Sequence, residues 1–166
     1  MRSRDIALSS LFGIAIFSQK IFLPSPYDKM MSVLLQIFLL SLTFLIVGFT
    51  GPILTGFISG LLTASMRGGL GLMTFFFALL YGVFVSSLNR LFRVVEDGQV
   101  RMGRLMISSL ASTVLVGVLS MATSMILGIV PYNPVLVSVI LVAGAIQGLV
   151  GGYISGVVWE RYLRNL

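Results

Sequence analysis

Long apolar segments separated by short polar ones are the feature that most constrains the fold of this chain. We predict six transmembrane helices, over residues 6–23, 31–49, 52–66, 70–92, 105–130 and 135–159. A bilayer core of about 30 Å requires about 20 apolar residues per helix, so these segments use most of the 166 residues. Charged residues make up only 10% of the chain, against about 25% in a soluble domain. The sequence therefore predicts one all-α membrane domain over residues 1–166, a compact bundle of six helices.

Turn-forming residues mark the ends of the predicted helices. We predict polar loops at residues 24–29 and 93–104, and tight turns at residues 50–52, 67–69 and 131–134. Each turn contains glycine or proline, the residues that most often end or begin a helix. The second and third helices are short, so we expect them to stand nearly upright in the membrane or to be broken near their connection.

The distribution of Lys and Arg predicts the orientation in the membrane. With six helices, both termini share one side with the loops that follow the second and fourth helices. That side carries eight arginines: Arg2, Arg4, Arg90, Arg93, Arg101, Arg104, Arg161 and Arg164. The opposite side carries only Lys20, Lys29 and Arg67. Because cytoplasmic loops carry an excess of Lys and Arg, both termini are predicted to be cytoplasmic.

Several classes of function lack the residues that they need. The chain has no Cys and no His, so we expect no thiol chemistry, no usual metal site, no cofactor and no catalytic residues. All five acids lie in loops or at helix ends, which argues against proton-coupled transport. No phosphate-binding loop of the ATPase type is present, so the chain cannot use ATP itself. The net charge of +6 is spread over loops, so we expect no nucleic-acid binding.

Small residues recur at four-residue spacing and form stripes along predicted helices. The last helix carries Gly144, Gly148, Gly152 and Gly156, and the third carries Gly56 and Gly60. Because lipid provides no hydrophobic drive for helix association, such stripes let backbones approach closely. We predict that these glycines pack helices together. Sliding of one helix along another, or docking of a partner subunit, remains the alternative role.

A few polar residues within or beside the helices are candidates for a binding pocket: Gln36, Arg67, Tyr81, Tyr132, Asn133 and Gln147. An amide in hydrocarbon is costly unless it is hydrogen-bonded, so Gln147 is expected to face the interior. There it either bonds to another helix or lines a ligand pocket. Arg67 either extends to lipid headgroups or captures an anionic group. Tyr132 and Asn133 either cover a pocket or simply form a turn.

Three segments resemble the substrate-binding S-components of energy-coupling factor (ECF) importers. Residues 4–13, RDIALSSLFG, resemble the first helix of that family. Residues 47–60, VGFTGPILTGFISG, are similar to its glycine-rich passage between the second and third helices. Residues 68–82, with their paired glycines and a later Leu-Tyr-Gly, fit its run into the fourth helix. In length and topology the resemblance covers the whole chain.

The resemblance implies a multi-pass protein of the prokaryotic cell membrane that binds a vitamin or similar micronutrient from outside. A transmembrane coupling subunit and two cytoplasmic ATPases then drive uptake while the S-component topples in the lipid. Family pockets open outward beneath the first loop, which here implicates the candidates named above. The family docks its coupling subunit on small residues of the first helix. The corresponding positions are Ser9, Gly13 and Ala15, where the family has an alanine pair.

Two other functions fit the same sequence. The chain is either a structural or assembly subunit of a larger membrane complex, with its glycine stripes used for docking, or a homo-oligomeric channel or facilitator. A binding subunit is stabilised by its ligand, whereas an assembly subunit is not. A channel conducts in liposomes without ATP or partners. The sequence identifies no particular ligand.

Overall fold

The structure, a computed structural model, describes residues 3–22, 27–96, 98–129 and 133–164. Within these residues the chain forms six α-helices. They are α1 (Ser3–Phe22), α2 (Tyr27–Val47), α3 (Thr50–Met66), α4 (Gly71–Leu91), α5 (Met102–Ile126) and α6 (Pro134–Val158). The prediction of an all-α chain with six helices is confirmed.

Three of the helical segments are long and apolar enough to cross a membrane. These are Gly68–Leu91, which includes a 3-10 turn before α4, then Met102–Ile126, and Pro134–Leu163, which includes a π-helical turn after α6. The apolar helices Met31–Val47 and Thr50–Met66 are shorter. The 17 residues of α3 extend over about 26 Å, slightly less than the thickness of a typical hydrocarbon core.

Local chemistry explains where helices end and begin. Gly128 adopts a left-handed backbone with φ of 68°, which is open to glycine at little cost. Its N–H bonds the Met125 carbonyl at 3.0 Å, so α5 ends at Ile126, four residues before the predicted end. The Asn133 side chain accepts from the N–H groups of Val135 and Leu136 at 3.0 and 3.3 Å. With Pro134 as the first helical residue, this cap starts α6.

Other features also differ from the predictions made from hydropathy. The turn predicted at residues 50–52 is wrong, because Gly48 and Phe49 form the connection and α3 already begins at Thr50. Helix α1 begins at Ser3, and α2 begins at Tyr27, inside the segment predicted as a loop. Asp5 stands in the first turn of α1, where negative charge is favourable. The predicted polar loop at 93–104 contains a short antiparallel hairpin, β1 (Val95–Glu96) and β2 (Gln99–Val100). Glu96 of this hairpin forms ion pairs with Arg101 and Arg104, each at 3.0 Å.

Helix α2 lies at the centre of the bundle and contacts each of the other five helices. Helix α1 packs on α2 and α3, α3 packs closely on α4, and α5 packs closely on α6. One core cluster contains Ile37, Leu40, Tyr81 and Val85. Many buried side chains are hydroxyls, and some of them bond between helices, as Ser155 does to the Phe38 carbonyl at 2.9 Å. Such bonds and close backbone contacts are the forces available for helix association in lipid.

Candidate functional site

A cavity of about 310 Å³ opens at the end of the bundle where α1, α3 and α5 end and where α4 begins. Residues of α1, α2, α4 and α5 line it, together with Arg67 from the turn between α3 and α4. Its volume lies at the small end of the range for pockets that hold small molecules. The central helix and its neighbours thus enclose a space large enough for a compact solute.

The burial of the lining residues shows how the cavity is oriented. On α4 and the turn before it, Leu70 is 51% exposed whereas Tyr81 is only 4% exposed. Phe77 lies between them and is half-buried. Eleven residues of helix correspond to about 16 Å. The mouth therefore lies at Arg67 and Leu70, and the base lies at Tyr81 beside the buried Gln36.

Two cationic side chains line the cavity, Lys20 near the end of α1 and Arg67. Arg67 is exposed and ends α3, and its backbone N–H bonds the Ala64 carbonyl at 3.2 Å. Its carbonyl in turn accepts from Leu70 at 3.1 Å. Arg67 forms no ion pair with Asp5, Glu96 or Glu160, the acids whose side chains the structure describes. The turn thus holds a guanidinium at the mouth of the cavity.

A chain of hydrogen bonds positions Tyr81 at the base. The Tyr81 hydroxyl lies 2.7 Å from Thr113 Oγ1, and Thr113 donates to the Ser109 carbonyl at 2.9 Å. A threonine hydroxyl has one proton, so Thr113 donates to Ser109 and accepts from Tyr81. The Tyr81 oxygen therefore keeps its own capacity to accept a hydrogen bond.

The wall between mouth and base is mostly apolar, with small hydroxyls. Met73, Phe77 and Val116 supply apolar surface, and Thr74 and Ser120 supply hydroxyls. Sequence reasoning missed these residues. Their spacing along α4 and α5 places them on one face of each helix, but nothing in the sequence indicates that the two faces meet.

The structure brings together three of the predicted pocket residues, Gln36, Arg67 and Tyr81. Gln147 is half-buried on α6 and is not part of the cavity lining. Asn133 is exposed and serves as the cap of α6, and Tyr132 lies outside the described residues. Gln147 and Asn133 therefore do not line the cavity.

The glycine stripes lie at contacts between antiparallel helices. A Cβ at Gly56 or Gly60 would meet α4 at Ala78. Along α6, Gly148, Gly152 and Gly156 face α5, where they lie against Leu110, Ser109 and Met102. Gly144 is looser, since a Cβ there would lie an ordinary 3.6 Å from Thr113. Another glycine on α6, Gly151, faces α2 at Ile37.

The small residues of α1 do not share one face. Ser9 is fully buried, and its carbonyl accepts from Thr55 at 3.2 Å. Gly13 lies against Ile58 of α3, where an added Cβ would be 3.0 Å away. Ala15 is exposed. Because α3 already covers Ser9 and Gly13, this pair is not open to a partner subunit, and the expectation that they dock one is corrected.

The opposite end of the bundle carries most of the positive charge. Arg90 lies in the last turn of α4, Arg101 and Arg104 flank the start of α5, and Arg161 and Arg164 follow α6. The Arg90 guanidinium lies 5.4 Å from the centre of the Phe49 ring, a favourable cation–π arrangement. The cavity and this arginine-rich surface therefore lie at opposite ends of the molecule.

No protein-family model matches the chain, and no curated protein or solved structure matches it either.

Proposed function

We propose that this chain is a multi-pass membrane protein that binds a small solute from outside in the cavity and delivers it for uptake. The observation that carries the proposal is the cavity itself. It collects Gln36, Arg67 and Tyr81, three residues selected from the sequence alone. A closed helix-packing subunit has no need for such a space, because interiors are normally filled to high density.

The charge distribution supports an outward-facing cavity. All six helices are proposed to cross the membrane, with both termini in the cytoplasm. Arginines crowd the end of the bundle opposite the cavity, and positive charge is retained on the cytoplasmic side. The cavity then opens toward the outside, which suits capture of a scarce nutrient.

Uptake against a gradient needs an energy source that this chain lacks, since its sequence contains no ATPase motif. We therefore propose partners of the kind that the ECF resemblance implies, a transmembrane coupling subunit and two cytoplasmic ATPases. The exposed face of α1 is the proposed docking surface. It contains Ala7, Leu11 and Ala15, which are spaced four residues apart and are all exposed.

Native mass spectrometry of the purified chain, followed by thermal-shift screening of vitamins and their precursors, tests the binding function. A ligand present at 100 times its Kd should stabilise the protein by about 2.7 kcal/mol. Ser120→Phe fills the cavity and should abolish that shift. Ser138→Phe is the matched control, because Ser138 is exposed on α6 and does not line the cavity.

Three results would contradict the proposal. If no bound molecule is detected and no compound stabilises the chain, the assembly-subunit function is favoured instead. If a compound stabilises Ser120→Phe as strongly as Ser138→Phe and the wild type, the ligand binds elsewhere. Solute flux through liposomes that contain only this chain would instead indicate a channel.

A further inference from the structure

We infer that the solute is a compact organic anion with an apolar body and a hydrogen-bond donor at the end remote from its charge. The inference rests on the proposed function, since it assigns the chemistry of the solute that the cavity binds. The charge, the apolar body and the donor of the solute are each inferred from a different level of the cavity, from its mouth to its base.

The charge at the mouth selects the anionic group. Arg67 lines the mouth of the cavity, and none of Asp5, Glu96 and Glu160, the acids whose side chains the structure describes, lines it. Arg67 forms no ion pair with any of these three acids. A cationic group at the mouth of a cleft attracts ligands of the opposite sign. The planar guanidinium suits a carboxylate, which it can bind through two parallel hydrogen bonds.

The middle of the cavity selects an apolar body. Met73, Phe77 and Val116 line it at this level, and all three are half-buried. The hydroxyls at this level are those of Thr74 and Ser120, and Thr74 already donates to the Leu70 carbonyl at 3.0 Å. A polar group would therefore lose more hydration here than these side chains replace. An aliphatic or aromatic segment instead buries its surface favourably against these side chains.

At the base of the cavity, the Tyr81 oxygen favours a hydrogen-bond donor on the solute. The proton of Tyr81 goes to Thr113, because the single proton of Thr113 goes to the Ser109 carbonyl. The phenol oxygen of Tyr81 is therefore an acceptor for the solute. Gln36 is 8% exposed at the same level, and its amide can both donate and accept.

The size of the cavity limits the solute. Its 310 Å³ lie at the small end of the range for small-molecule pockets, over a depth of about 16 Å. A compact solute with a single ring or a short chain fits such a space.

Matched probes test the inference on the purified full-length chain. Calorimetry would measure the Kd of para-hydroxyphenylpropanoate, its primary amide and the corresponding amine, which differ in charge but share one body. Phenylpropanoate, which lacks the distal hydroxyl, tests the donor. A wider set of carboxylate and amide pairs of similar size covers other bodies. We expect each acid that binds to bind at least 10-fold more tightly than its amide, and the amine to bind most weakly.

Arg67→Gln should weaken binding of the acid by about 10- to 100-fold, the usual effect of losing a hydrogen bond to a charged group. The same variant should leave binding of the amide unchanged. Arg164→Gln removes one positive charge at the opposite end of the bundle and should change neither Kd, which controls for net charge.

Each remaining outcome overturns a defined part of the reasoning. If an amide or the amine binds as tightly as the acid, or if Arg67→Gln keeps the preference for the acid, the anion inference fails and the proposed function stands. If phenylpropanoate binds as tightly as its hydroxylated form, the donor at the far end is wrong. If no probe in the whole set binds, the proposed function fails together with the inference.

Discussion

The contact between α3 and α4 leaves no room for a methyl group at Gly56, so Gly56→Ala is a sensitive test of the packing. A Cβ at this position would lie 2.6 Å from the Ala78 carbonyl oxygen and 3.4 Å from the Gly82 Cα. Both neighbours are backbone atoms, which cannot rotate away as a side chain can. The two helices must therefore move apart to admit the methyl group.

The size of the effect follows from these distances. To restore an ordinary contact of 3.4 Å from 2.6 Å, α3 and α4 must move apart by about 0.8 Å, the difference between the two distances. A gap of that size removes a quarter to a half of the dispersion energy of each affected contact. Overpacking of this kind costs about 1–3 kcal/mol. Alanine returns about 0.5–1 kcal/mol through its better helix propensity. We expect a net destabilisation of about 1–2 kcal/mol.

Equilibrium unfolding in mixed detergent micelles would measure this change. Gly103→Ala is the matched control, because Gly103 is helical and nothing lies within 4 Å of an added Cβ. That variant should be as stable as the wild type, or more stable by at most about 1 kcal/mol. A Gly56→Ala protein as stable as Gly103→Ala would refute the close contact between α3 and α4.

Two further predictions concern the first helix and the base of the cavity. Gly13→Leu should prevent stable folding, because Gly13 lies against Ile58. Ala15→Leu should instead fold and bind solute but reduce uptake in cells that contain the coupling subunits. Equal thermal stability of the two variants would contradict this reasoning. Thr113→Val leaves the buried Tyr81 hydroxyl without its acceptor and should cost about 1–3 kcal/mol in unfolding measurements. Thr123→Val, at an exposed hydroxyl that bonds only within its own helix, should cost little, and equal losses would show that the bond to Tyr81 is unimportant.

Much of the helical structure could be predicted from local sequence. Apolar segments of sufficient length form helices because the backbone must satisfy its own hydrogen bonds in lipid. Asn133 and Pro134 signal the start of α6, and Gly128 fits the end of α5. The hairpin after α4 was missed, because its paired segments are only two residues each and carry no periodicity.

The candidate site was only partly predictable. Gln36, Arg67 and Tyr81 stand out because polar groups are rare in apolar helices. Gln147 stands out for the same reason, yet it lies away from the cavity. The position of a residue along a predicted helix indicates how deep its side chain lies in the membrane. It does not indicate which other helix that side chain contacts.

Hydropathy, turn residues and glycine spacing are sufficient to predict six helices, an all-α fold and stripes of small residues along the helices. They do not predict which stripes meet, whereas the packed helices place Gly56 against α4, Gly148 against α5 and Gly13 against α3. Lipid-facing and buried surfaces of a membrane helix are both largely apolar, so hydropathy does not distinguish them. The cavity likewise exists only because four helices and one turn, distant in sequence, enclose the same space.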